Sequence, residues 1–87
     1  MSHKIFIHRE AKKAYKKLPV LYQVKVKATL IKLAENPFRQ DLDIKALHGQ
    51  LKGKYRIREG EIRIVYVIEK NDNIVYVEGI SYRGNAY

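Results

Sequence analysis

The chain has 87 residues, with 18 Lys and Arg against 9 Asp and Glu, a formal net charge of +9 and 46% hydrophobic residues. That length suits one small domain, residues 1–87, with too much apolar content for disorder and a basic balance that predicts a polyanionic partner, most often nucleic acid. The absence of cysteine excludes disulfides and thiolate metal sites, and with no long uncharged apolar run and no signal-peptide core in MSHKIFIHRE, a cytoplasmic location without a membrane partner is expected.

Lys4 to His8 (KIFIH) is a short run in which Ile5 and Ile7 alternate with Lys4, Phe6 and His8, and it reads as a first strand. Arg9 to Leu18 reads as a helix, with Ala11, Ala14, Tyr15 and Leu18 on one face and Lys12, Lys13, Lys16 and Lys17 mostly outside it. Pro19 ends this helix or opens the next, where its missing N–H costs little. Val20 to Glu35 reads as a second helix with two apolar stripes. Leu21, Val24, Ala28 and Ile31 make one; Val26, Leu30 and Leu33 make the other. Two stripes predict contact on two sides, with the first helix and with a sheet. Asn36-Pro37 stops the helix. Phe38 to Lys52 is then a polar connection in which Leu42, Ile44, Leu47 and Leu51 are expected to dock over a core edge.

The strongest local pattern follows, GKYRIREGEIRIVY from Gly53 to Tyr66. Tyr55 and Ile57 alternate with Arg56 and Arg58; Ile62, Ile64 and Tyr66 alternate with Arg63, Val65 and Val67. Period-2 alternation sends one set to a core and the other to the opposite face. Glu59-Gly60-Glu61 supplies the turn, with Gly60 free to take a positive φ. A hairpin with three guanidinium groups on one side suits phosphate, because arginines stay charged and bind two oxygens at once. The same pattern also describes the solvated outer face of an antiparallel sheet. A turn at Lys70 to Asn73 leads to a last strand, Ile74 to Tyr82.

Strand, helix, helix and three strands predict an α+β fold: a helical hairpin packed on one face of a four-stranded antiparallel sheet (β-α-α-β-β-β), with the first strand antiparallel to its neighbour. The other face stays partly open and carries Arg56, Arg58 and Arg63. If Ile74, Tyr76, Ile80 and Tyr82 join the core, Arg83 falls on the arginine face as well. Tyr55, Tyr66, Tyr76 and Tyr82 share the apolar phase and read as sheet and core residues.

The element order, the YRIR-x-G-x-x-RIVY core and the C-terminal R-x-x-x-Y from Arg83 to Tyr87 resemble the RelE/ParE toxin superfamily over the whole chain. The resemblance implies a RelE/ParE-like fold and the toxin of a type II toxin–antitoxin system. Its RelE-like branch consists of ribosome-dependent endoribonucleases that cut mRNA; its ParE-like branch poisons DNA gyrase without nuclease residues. The nuclease reading implies mRNA and the ribosome as partners, with a cognate antitoxin forming a hetero-oligomer. A basic RNA-binding module without catalysis is the third reading. Carried over onto this chain, the family's basic strand positions fall on Arg56, Arg58 and Arg63, its late arginine on Arg83 and its final tyrosine on Tyr87. Some relatives have lysines at the positions of Arg56 and Arg58, and some use a glutamate near the place of Lys45.

Attack by a ribose 2′-OH needs a proton acceptor, positive charge on the developing phosphorane and a donor for the leaving 5′-oxygen. The chain is rich in the second requirement and poor in the other two; the resemblance implies an enzyme completed by the ribosome, without metal or cofactor. The expected catalytic residues are Arg63 and Arg83 for phosphate stabilisation, Tyr87 for base stacking or 2′-OH orientation, and Arg58. Lys52, Lys54 and Arg56 are the expected RNA-binding residues. His3, His8 and His48 match no metal-ligand spacing. His48, just before the hairpin, reads as an acid/base candidate or a surface residue.

Overall fold

The computed structural model describes residues 3–82. Its elements are β1 (Lys4–Ile7), α1 (Arg9–Lys17), α2 (Val20–Glu35), β2 (Asp43–Ala46), a 3-10 turn (Gly49–Leu51), β3 (Tyr55–Glu59), β4 (Ile62–Glu69) and β5 (Ile74–Tyr82). They form an α+β fold with the helices on one face of a sheet ordered β1-β5-β4-β3-β2.

Side chains satisfy free backbone groups at both ends of α1, whereas α2 starts at Pro19 without a side-chain cap. The Nδ1 of His8 accepts from the Glu10 N–H at 3.1 Å and caps α1. Glu10 in its first turn and Lys16 and Lys17 in its last complement the helix dipole. The Gln23 side-chain amide of α2 donates to the carbonyls of Lys16 and Leu18 at 3.2 and 2.9 Å, binding the end of one helix to the start of the next. Asn36 Oδ1 then accepts from the Phe38 N–H at 2.9 Å, turning the chain out of α2. The core forms where Ala11, Leu18, Val26, Leu30 and Leu33 meet Ile57, Ile62, Ile64, Tyr66, Val75, Val77 and Ile80 of the sheet.

The sheet has five strands rather than four, and it is mixed. The additional strand, β2, lies within the connection read as polar, paired antiparallel to β3 with Asp43 opposite Arg58 and Lys45 opposite Arg56. Its signal is the short alternation of Leu42, Ile44 and Ala46, which four residues between two loops make easy to pass over. β1 runs parallel to β5, from Lys4 opposite Ile74 to Ile7 opposite Val77. The reason lies in the path of the helices. α1 continues past the end of β1 toward Ile80 and Tyr82, and α2 returns until the Ala34 carbonyl accepts from the His3 N–H at 2.6 Å. Residues 36–42 cross to the far edge, so β2 runs against β1. Three further reversals leave β5 parallel to β1.

β5 corrects a second expectation. Val75 and Val77 are buried while Tyr76 is exposed on the opposite face. Tyr66 pairs with Val77 but Val65 pairs with Gly79, so Glu78 is an extra residue in a β-bulge. The bulge reverses the phase, and beyond it Ile80 and Tyr82 face the core. A rule of strict alternation holds on either side of the bulge and fails across it. The Tyr66 hydroxyl, fully buried, donates to the Pro37 carbonyl at 3.2 Å and pins the exit of α2 to the middle of the sheet.

Candidate functional site

The face of the sheet away from the helices is built by register. β3 and β4 are joined by the two-residue loop Gly60-Glu61, with Glu59 opposite Ile62. Gly60 has φ +60° and Glu61 has no positive φ, the signature of a type II′ turn. This turn fits the twist of the strands and places Arg58 directly opposite Arg63, and Arg56 opposite Val65. Extended over neighbouring strands, one row reads Asp43, Arg58, Arg63, Ser81 and the next Lys45, Arg56, Val65, Gly79.

The cations in these rows differ in their surroundings. Arg58 is exposed, and its Nε lies 3.3 Å from Asp43 Oδ2. Arg56 is packed down, its side chain 15% exposed, with Nη1 3.9 Å from the same carboxylate oxygen. That Nη1 is buried and has no hydrogen-bond partner among the described residues. Arg63 is exposed and makes no ion pair with any described residue. Two cations directly opposite on adjacent strands repel, and the single carboxylate of Asp43 touches Arg56 and Arg58 but not Arg63. An anion lying over Arg58 and Arg63 would relieve that repulsion, and two planar guanidinium forks suit phosphate oxygens.

Lys54 Nζ sits 2.7 Å from Glu78 Oε1, each side chain about one-third exposed. Glu78 follows buried Val77 and shares the face of Tyr76, so Lys54 is already neutralised and binds phosphate only by releasing Glu78. Lys52 is exposed just after the 3-10 turn. Beyond the Lys54–Glu78 pair the face becomes apolar, with Phe6, Val67, Ile74 and Tyr76 lining a shallow hollow with Glu69 and Glu78. Tyr76 therefore leaves the core phase expected of it, whereas Tyr55 stacks on buried Tyr66 at 5.6 Å between centroids. Tyr82 packs against Tyr22 at 5.0 Å on the helical side.

Among the expected site residues, the fold brings Arg56, Arg58 and Arg63 onto one face, with Lys54 at its middle and Lys52 at the loop below. Arg83 and Tyr87 lie outside the described residues. Asp43 is an addition that only β2 reveals, and β2 places Lys45 opposite Arg56. Of the histidines, His8 is occupied as a helix cap, and His48 is exposed at the 3-10 turn. Among the described residues no group of three or more His, Cys, Asp or Glu could hold a metal ion. No described helix is long and apolar enough to cross a membrane.

Comparison with known proteins agrees with this architecture. The family model described as the ParE toxin of type II toxin–antitoxin system, parDE, matches residues 5–87. A protein of Methanocaldococcus jannaschii named "Putative toxin RelE1" is 35% identical over 88 residues, covering 100% of this chain and 97% of that protein. The archaeal RelE–RelB complex from Pyrococcus horikoshii OT3 contains a chain that superposes with a TM-score of 0.82 at 27% identity, over 99% of this chain and 100% of the other. The toxin–antitoxin complex RelBE2 of Mycobacterium tuberculosis gives a TM-score of 0.86 at 22% identity, over 98% and 95%. At that lower identity the likeness is one of fold.

Proposed function

The chain belongs to the ParE-toxin family of type II toxin–antitoxin systems, within the RelE/ParE superfamily, and from that premise we propose that it is a ribosome-dependent endoribonuclease that cleaves mRNA and so blocks translation. The observation that carries the reading is the Arg58–Arg63 pair, two like charges held opposite each other on an open sheet face. A merely solvated face has no need of a juxtaposition that costs stability. Arg63, Arg58 and Arg83 stabilise the phosphorane; Arg56, Lys52 and Lys54 hold the flanking phosphates; Tyr87 stacks on a base or orients the 2′-OH. The 2′-oxygen bonds to phosphorus as its proton leaves, and the P–O5′ bond breaks as the 5′-oxygen is protonated. No metal takes part. The proton acceptor and donor are completed in the decoding site, where ribosomal RNA also fixes the substrate. A cognate antitoxin, as in the RelE–RelB complexes, holds the toxin in an inactive hetero-oligomer in the cytoplasm.

The match to a ParE model favours one rival, a toxin that inhibits DNA gyrase without cutting RNA. Pulse labelling after expression of the chain alone separates the two. Protein synthesis should stop first, with cleaved mRNA appearing while DNA synthesis initially continues. Early loss of DNA synthesis with intact mRNA would establish the gyrase reading instead.

A further inference from the structure

The second helix is apolar on two nearly opposite sides, and the fold uses only one of them. Val26, Thr29, Leu30 and Leu33 are buried against the core. Leu21, Val24 and Ile31 point outward at 64%, 61% and 58% exposure, Ala28 is exposed between them, and Val20 extends the patch at 75%. The spacing 21, 24, 28, 31 is one continuous stripe on a 3.6-residue helix, about 15 Å long. α1 does not reach it: α1 packs mainly on β5, and its face toward the sheet takes Ala11 and Leu18. A stripe this regular on the outside of a small domain marks an interaction surface rather than scattered surface apolarity.

The charges around the stripe identify what covers it. At 100° per residue Lys27 lies along one flank and Lys25 and Lys32 along the other. A second copy of this chain would bring the same lysines, and a net charge of +9, against themselves. An amphipathic helix with acidic flanks satisfies both features, its apolar face on the stripe and its carboxylates on the lysines.

We infer that this stripe anchors the antitoxin, which lays an acid-flanked amphipathic helix of about three turns along α2, on the side of the sheet opposite the arginines. The inference rests on the toxin–antitoxin reading. It makes anchoring separable from neutralisation: the helix on α2 provides affinity, and a different part of the antitoxin reaches the arginine face.

The test uses the full chain, purified with its cognate antitoxin and separated from it. Val24→Glu/Ile31→Glu should lower antitoxin affinity by about a hundredfold or more by calorimetry, because it removes two apolar contacts and opposes the acidic flank. Lys25→Glu/Lys27→Glu/Lys32→Glu, which leaves the stripe intact, should weaken binding and flatten its salt dependence. Both variants should keep the parent melting temperature and arrest growth when expressed alone. Unchanged antitoxin affinity in the first variant would overturn the inference. So would a concentration-dependent dimer of the parent chain, in sedimentation, that this variant abolishes, since it would assign the stripe to a second copy. If the parent chain fails to arrest growth, the nuclease reading is at fault, and the calorimetric comparison still decides the docking surface.

Discussion

At the scale of single residues, Arg63 and Tyr66 lie three residues apart on β4 and on opposite faces of the sheet. Arg63 is exposed and outside the Asp43 ion-pair group, so Arg63→Ala should shift stability by less than about 0.5 kcal/mol. Removing a preorganised charge aimed at a transition state costs on the order of 3 kcal/mol, about a hundredfold in rate. Ribosome-dependent cleavage should therefore collapse while the melting temperature stays in place, and Arg83→Ala should behave likewise. Cleavage at the parent rate in both variants would remove these residues from the site. Tyr66 is a structural counterpart. Burial pushes its hydroxyl above its ordinary value near 10. The folded chain thus keeps this proton when the unfolded chain releases it, so stability is full below about pH 10 and falls as pH rises beyond it. Tyr66→Phe should remove that contribution and make alkaline unfolding less steep. At neutral pH it should cost about 1 kcal/mol through the lost bond to the Pro37 carbonyl. An alkaline slope identical to the parent's would mean that another tyrosine controls it; Tyr82, also raised through its hydrogen bond to Tyr22 and its burial, is next in line.

At the scale of elements, the hairpin turn and the bulge carry the site. Gly60 needs its positive φ although a Cβ there would meet nothing within 4 Å. The cost of Gly60→Ala is therefore conformational, about 1 kcal/mol, or roughly 4–8 °C in melting temperature for a domain of this size. Gly79 beside the bulge has neither a positive φ nor a close neighbour, so Gly79→Ala should be within about 0.5 kcal/mol of the parent. Thermal melts of the two variants check the distinction. Equal losses would show that the bulge demands glycine as much as the turn does. Periodicity found the boundaries of α2 and of β5 because those elements are long enough for a repeat to declare itself. It missed β2, whose four residues give two alternations, and it missed the bulge, because one extra residue leaves composition unchanged while reversing every side chain that follows. The placement of Asp43 beside the arginines was hidden for the first reason, and the exposure of Tyr76 for the second.

At the scale of the whole molecule, the arginine rows and the free apolar stripe of α2 lie on opposite sides. One side of the sheet carries the arginines; the outward side of α2 carries the free apolar stripe between its lysines. Binding to ribosomes or RNA should be steeply salt-dependent, since each neutralised phosphate releases a counterion. With about five basic residues engaged on single-stranded phosphates, the log–log slope should be roughly −3 to −4. Titration across a series of potassium chloride concentrations measures it, and a slope near zero would remove electrostatics as the source of affinity.

The amino-acid sequence alone determined the α+β class, the helical hairpin, the turn at Gly60 and the common face of Arg56, Arg58 and Arg63. All of these follow from contacts between residues close in the chain, where side-chain period and backbone preference act directly. The parallel pairing of β1 with β5, the placement of Asp43 beside two arginines, the ion pair of Lys54 with Glu78 and the exposure of one of the two stripes on α2 depend on which distant segments meet. The sequence of α2 shows two apolar stripes of similar strength. Only the packed structure decides which one the sheet buries, because a single helix has room for one sheet and α1 lies over β5 rather than across the other side.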